Sequence, residues 1–411
     1  RRIPNHRVLA IDRGEREGKL RVRVNVDGAA ATARLSSRWP RRQGVFAPIF
    51  DAAIADGYKR LMAPSLEREA RAKLTVRAQT EAINVFAKNL EGLLSARPVR
   101  GARVLALDPG YRTGCKVAVV DATGRVLDTG VIYPTHSQSR VQEAKALVSR
   151  MIQKYQVEVI AIGNGTASKE TEMFTAEVLS NLPQQDKERC AYMVVSEAGA
   201  SVYSASKLAA EEFPQFDLTL RSAVSIARRL QDPLAELVKI DPKAIGVGQY
   251  QHDMPKKRLD EALGGVVEDC VNNVGVDLNT ASPSLLERIS GLSAAVSKNI
   301  VKYREENGAF TSRNELKKVN KLGPKAFVQC AGFLRVPESK NVLDNTGVHP
   351  ESYGAAKELL KLCGFGEDDV KNGSLSGLAD KVAALGEESV AQQIGVGVPT
   401  LQDIVKELLK P

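Results

Sequence analysis

The chain has 411 residues, 43% apolar and 26% charged, a composition suited to several soluble globular domains. It contains no run of about 18 apolar residues that could span a bilayer. The formal net charge is +9, and the first hundred residues hold 21 Lys and Arg against 10 Asp and Glu, while the remainder is balanced at 37 against 39. A basic segment of this kind attracts polyanions by counterion release.

The opening RRIPNHRVLAIDRG has no apolar stretch of the signal-peptide type and no initiator Met, so a cytoplasmic core segment is expected. Residues 18–26, GKLRVRVNV, alternate apolar and basic, the pattern of a half-exposed strand. From Pro64 to Ala96 the residues Leu66, Ala70, Leu74, Ile83, Phe86, Leu90 and Leu93 recur near helical spacing, predicting one or two long amphipathic helices. Pro98 and Gly101 close that segment. Residues 102–232 read as α/β. Strands are expected at 103–107, 116–120, 126–132, 157–162 and 192–195, and helices at 140–155, 168–181 and 201–212. Three antiparallel strands followed by alternating helices and strands is the layout of the ribonuclease H-like fold. After Pro233 the chain reads as mostly helical, with helix–turn–helix segments at 279–310 and 311–336 and short helices over 350–411.

The five cysteines, Cys115, Cys190, Cys270, Cys330 and Cys363, are scattered, the nearest pair 33 positions apart. Zinc ligands pair two to four residues apart, so no zinc site is expected, and scattered thiols suit a reducing cytoplasm. The histidines are His6, His136, His252 and His349, too few and too dispersed for a His-based relay.

Asp108-Pro109-Gly110-Tyr111-Arg112-Thr113-Gly114 places an acid at the end of the first strand. This resembles the opening of the YqgF and RuvC-type nucleases, which hold divalent metals between several carboxylates. The resemblance implies further acids after later strands. After 159–163 the matching residue is Asn164; after the fifth strand it is Glu197; in the last helix the matching stretch is Arg221–Ala227, with Asp232 an alternative two turns later. Asp108 and Glu197 remain as vestigial catalytic candidates, Arg221 could add positive charge beside them, and Asp108 also reads simply as a turn-capping residue.

Two helix-hairpin-helix turns follow. The first is Gly291-Leu292-Ser293-Ala294 with Lys298 downstream, and the second is Lys321-Leu322-Gly323-Pro324-Lys325. Small residues let a turn approach a phosphate, and the next helix presents its first amides. Such contacts carry no sequence code. Ser293 replaces the second glycine of the first turn, and Lys321 the first glycine of the second. Nucleic-acid binding and purely structural packing are both open. Gly246-Val247-Gly248-Gln249-Tyr250-Gln251-His252-Asp253-Met254 reads as a structural turn, and it lacks the third glycine and distant acid of a dinucleotide fingerprint.

In that order, the YqgF-like opening, the GVGQYQHD stretch and the tandem hairpins resemble the Tex family of transcription accessory proteins across essentially the whole chain. The resemblance implies a multidomain, mainly α protein with one α/β ribonuclease H-like (YqgF) domain, helical linker segments and a tandem helix-hairpin-helix module. The expected divisions are 1–63 (a remainder of the N-terminal region with the basic strand), 64–100 (a helical connector), 101–232 (YqgF), 233–276 (a helical linker), 277–338 (the hairpins) and 339–411 (a C-terminal helical domain). The family's helix-turn-helix and S1-type domain fall outside this span. The implied role is a transcription scaffold that binds DNA or RNA without sequence preference and contacts RNA polymerase, with no cofactor. The alternatives are a Mg²⁺-dependent nuclease using Asp108 and Glu197, and a core that binds protein only.

Overall fold

Runs of Val, Ile, Leu and Ala, bounded by turn residues, build a five-stranded sheet: β1 (Val104–Asp108), β2 (Cys115–Val120), β3 (Val126–Ile132), β4 (Val159–Gly163) and β5 (Ala191–Val195). In the computed structural model, which describes residues 3–38, 45–99, 101–246 and 248–410, the strand order is β3-β2-β1-β4-β5. β1–β3 form an antiparallel meander, and β4 and β5 run parallel to β1, joined through helices.

β1 is central, so its residues alternate between two buried faces. Leu105 and Leu107, with Val117 and Val119, pack under the Gln138–Tyr155 and Ser168–Ser180 helices through Val148, Ile152, Phe174 and Val178. Val104 and Ala106, with Ala118 and Ala161, pack under the Leu218–Gln231 helix through Ala223, Ala227 and Leu230. Asp217 caps that helix by accepting from the Leu220 amide at 2.8 Å. At its other end Gln231 Nε2 donates to the Ala102 and Asp121 carbonyls at 2.8 and 2.7 Å. The helix is thereby fixed against the strand that carries Asp108.

The chain divides into two compact units. One runs to Asn89 and includes Gly246–Leu263; the other comprises Leu90–Ile245 and Gly264 onward. The first holds most of one continuous helix, Ala63–Leu94, entered through a π turn at Tyr58–Met62. Its Arg71 meets Asp12 and Glu15 of the Asn5–Arg16 helix at 3.4 and 2.5 Å. Residues 18–26 form no ladder among the described residues, contrary to the strand expectation. Their amides find carboxylates instead: Val22 donates to Glu15 and Val24 to Glu67, at 3.4 and 2.8 Å. Gly246 and Gly248 lie on the buried Phe86 ring, where an added Cβ would come within 2.6 and 2.5 Å of ring carbons. Asp253 pairs with Arg13 and Arg16 at 3.3 and 2.8 Å. The GVGQYQHD stretch is thus a packed turn; its Val247 lies outside the described residues.

In the second unit the segment expected as one helix at 201–212 is two, Ala200–Ser204 and Lys207–Glu212, because Ser206 caps the latter through the Ala209 amide. The hairpins comprise Pro283–Leu286 with Ala294–Asn307, and the 3₁₀ segment Arg313–Lys318 with Pro324–Cys330. A short parallel ladder, Val276–Asp277 against Leu334–Arg335, ties their ends. Five further helices from Tyr353 to Leu409 enclose a separate core of Leu359, Leu378, Val390, Leu401 and Ile404. All five cysteines are buried and free.

Candidate functional site

Parallel strands end on the same side of a sheet, so β1, β4 and β5 deliver Asp108, Asn164 and Glu197 to one edge. Asn164 Oδ1 accepts from the Glu197 amide at 3.0 Å, which makes it a strut for the loop that holds Glu197. The Glu197 carboxylate folds back over Gly163 and Gly165. A Cβ at Gly165 would overlap it at 1.6 Å, so that position must be glycine for Glu197 to sit there. Ser222, on the Leu218–Gln231 helix, is close enough to Asp108 to favour its ionised form.

Two cations sit among these acids. Lys116 pairs with Asp108 in the β1–β2 register and is 6% exposed. Its Nζ donates to the Thr113 and Gly114 carbonyls at 2.9 and 2.8 Å and to the Thr113 hydroxyl at 2.6 Å. Arg229 is 3% exposed, two turns along the helix from Ser222. Its Nη1 donates to the Ser196 and Ala198 carbonyls at 3.0 and 2.7 Å, clamping the Glu197 loop. Burial lowers the Arg229 pKa, while Glu236, Glu197 and Asp108 oppose that shift. Burial likewise raises the Asp108 carboxyl against the pull of Ser222, Lys116 and Arg229. Glu197 is raised by burial and by the Asp108 charge, with Gly165 and Arg229 opposing.

Buried Glu197 Oε2, Ser225 Oγ, Arg229 Nε and Nη2, and Glu236 Oε1 have no hydrogen-bond partner among the described residues. Such groups are uncommon in a packed interior. A pair of divalent metals does not fit this arrangement. It needs three or four converging carboxylates, but Asp108 and Glu197 face a buried guanidinium and a buried ammonium. No cluster of three metal-ligating side chains occurs among the described residues.

The cation expected at Arg221 is elsewhere. Arg221 donates to the Phe213 and Ser204 carbonyls at 3.1 and 3.4 Å, anchoring its helix. Asp232 is also no ligand, since it caps the Pro233–Leu237 helix through the Ala235 amide at 3.0 Å. Sequence reasoning missed Arg229 and Lys116. The available signal was Arg229's helical phase, seven residues past Ser222.

The two hairpin turns have the same shape. Gly291 has φ +83° and Lys321 φ +65°, both left-handed, while Ser293 and Gly323 are extended at φ −97° and −78°. The second position therefore tolerates any residue, and Ser293 there accepts from the Val296 amide at 3.4 Å. The first position favours glycine, and Lys321 occupies it at a cost of about 1–2 kcal/mol. The turns lie side by side: Asn299 Nδ2 donates to the Asn320 carbonyl at 2.8 Å, and a Cβ on Gly291 would be 2.6 Å from Gln329 Cβ.

Leu292 and Leu322 point into the core, whereas Ala294, Lys298, Gly323, Pro324 and Lys325 are exposed. Lys317, Lys318, Lys321 and Lys325 are all exposed and have no carboxylate partner among the described residues. Behind the second turn, Arg313 is 1% exposed. It donates to the Leu334 and Val348 carbonyls at 2.7 and 2.8 Å, to the Tyr353 hydroxyl at 2.7 Å and to the Thr346 carbonyl. Tyr353 in turn donates to Asp344 at 2.6 Å.

Comparison with known proteins agrees with this layout. Residues 102–231 match the Tex protein YqgF-like domain, 271–335 a helix-hairpin-helix motif, and 341–411 an HHH domain. The chain is 49% identical over 411 residues to the protein YdcI of Bacillus subtilis, covering all of this chain and 56% of that protein. It is 47% identical over 422 residues to the transcriptional accessory protein Tex of Neisseria gonorrhoeae and 45% over 427 to the protein tex of Bordetella pertussis, covering all of this chain and 53% of each. It therefore spans about half the length of the curated relatives it matches. With a YqgF-like domain, two helix-hairpin-helix regions and this level of identity along its full length, the chain is similar throughout to proteins named Tex.

Proposed function

We propose that this chain is a transcription scaffold that grips nucleic acid by its sugar-phosphate backbone through the paired hairpins, and that its ribonuclease H-like domain is catalytically silent. The binding half rests on one observation above all: four exposed lysines, spaced over residues 317–325 and without acidic partners among the described residues, accompany a turn whose left-handed position is kept even without glycine. Non-glycine residues held in that region concentrate at functional sites. The silent half is supported by Arg229 and Lys116, which supply from within the chain the positive charge that Asp108 and Glu197 would otherwise draw from metals.

No cofactor enters this reading. Its setting is cytoplasmic, with DNA or RNA held regardless of sequence and RNA polymerase as the protein partner, as the accessory role named for the Neisseria relative suggests. Among the described residues no helix is long and apolar enough to cross a membrane.

The test is binding of single strands and duplexes across a salt series, with Mg²⁺ or Mn²⁺ present and cleavage read from the same samples. Each phosphate contact adds about −0.9 to the log–log salt slope on duplex DNA, so Lys321→Glu with Lys325→Glu should flatten it by roughly 2. Metal-dependent cleavage abolished by Asp108→Asn would overturn the silent-site reading. A salt slope near zero would overturn the scaffold.

A further inference from the structure

Beside the second hairpin lies a cleft of about 500 Å³ whose walls come from both the hairpin and the C-terminal helical domain. Pro324, Phe327 and Val328 form one wall, and Pro350 and Tyr353 the other. The cleft is preformed. Tyr353 is held by Asp344 and Arg313. His349 meets the Val328 carbonyl at 2.9 Å and accepts from the Glu351 amide at 3.3 Å, which fixes the wall and the rim together. Lys317 lies over the Phe327 ring, 4.6 Å from its centroid, and so holds an ammonium at the mouth. Asn314 and Glu351 supply the other polar groups.

Apolar walls with a few polar groups at the edge, in a space of this size, are the mark of a small-ligand cleft. A nucleobase has that chemistry, with apolar faces and hydrogen-bonding edges. The charge at the mouth selects what carries the base. Lys317 lines the cleft, and Lys321 and Lys325 flank its lining residues Leu322–Pro324 in the chain; all three are exposed and have no carboxylate partner among the described residues, which suits the phosphates flanking an inserted base.

We propose that this cleft receives an unstacked base of a single-stranded nucleic acid whose phosphates rest on the hairpin lysines. The proposal rests on the backbone-binding function above and adds to it a preference for single strands, because a paired base cannot enter.

The experiment uses the full chain and fluorescence anisotropy at fixed salt, with three labelled probes: a single-stranded oligonucleotide, the same strand with abasic positions throughout its centre, and its duplex. The intact strand should bind roughly fivefold or more tightly than the abasic strand, the scale of losing one base stack. Val328→Trp, which fills the cleft from an exposed wall position, should weaken intact-strand binding by a similar factor and leave duplex binding unchanged. The abasic comparison needs no variant and stands even where Val328→Trp fails to fold. Equal binding of intact and abasic strands overturns the cleft while the hairpin grip survives; a cleft that takes a protein side chain instead gives this result. Absence of salt-sensitive binding to any probe overturns both.

Discussion

Replacing Arg229 by Met keeps most of the side chain's volume and removes its charge. Three carboxylates, those of Glu236, Glu197 and Asp108, then lose a buried cation, and the Ser196 and Ala198 carbonyls lose their donor. Breaking a buried charge cluster from one side costs about 3–5 kcal/mol. Arg229 offsets part of that itself, because it is desolvated and two of its nitrogens have no hydrogen-bond partner among the described residues. The expected loss is therefore at the low end, about 3 kcal/mol at pH 7.5. It should depend on pH. Asp108 and Glu197 already titrate above their ordinary values, and removing Arg229 raises them further. A carboxyl raised in the folded state favours folding below its unfolded pKa, and that contribution is lost as pH rises through the folded pKa. The penalty of Arg229→Met should thus shrink by about 1 kcal/mol or more between pH 7.5 and pH 5, one pKa unit being worth about 1.4 kcal/mol. Urea denaturation at both pH values, with native-state hydrogen exchange on the β1 peptide, measures it. A penalty that is the same at both pH values, or a variant as stable as the parent at pH 7.5, refutes the counter-ion role.

Three further outcomes are expected. Ser222→Asp combined with Arg229→Ala sets a third carboxylate by Asp108 and removes the guanidinium, so titration calorimetry should detect Mn²⁺ binding that the unchanged chain lacks; equal binding by both would show that the arginine is no obstacle. Lys321→Gly should raise stability by about 0.5–1 kcal/mol by relieving the left-handed backbone, yet reduce the salt slope by about 0.9 if Lys321 meets a phosphate on duplex DNA; unchanged denaturation would show the turn to be unstrained. Arg313→Met leaves several buried carbonyls without a donor and should cost about 3 kcal/mol or more, with faster exchange in both 294–307 and 353–362; exchange confined to one of them would contradict the coupling.

What the sequence revealed were features written in neighbouring residues. The apolar run ending in Asp108-Pro109-Gly110 located β1 and the site edge, and the small-residue turns located both hairpins. The features it hid are set by residues distant in the chain. Arg229 looks like an ordinary basic residue near a helix end until the sheet places Ser196 and Ala198 beneath it, some thirty positions upstream. Arg313 is similar, buried by partners up to 40 positions away. The alternation in 18–26 reports an exposed and a less exposed face but not whether a second strand is present, and its amides found Glu15 and Glu67 instead. Lys321 was legible as a departure from the pattern, but not as one that keeps the glycine's backbone shape.

Arg313 also bears on how such proteins can be recombined. The hairpin region and the C-terminal helices match two separate families and enclose separate cores, which invites treating them as interchangeable cassettes. Yet the guanidinium belongs to the first and its acceptors at Thr346, Val348 and Tyr353 to the second. A crossover between 336 and 341 that joins halves from different ancestors would strand the arginine among mismatched acceptors. Viable chimaeras should place their junctions outside 271–411, so that the two families are inherited together.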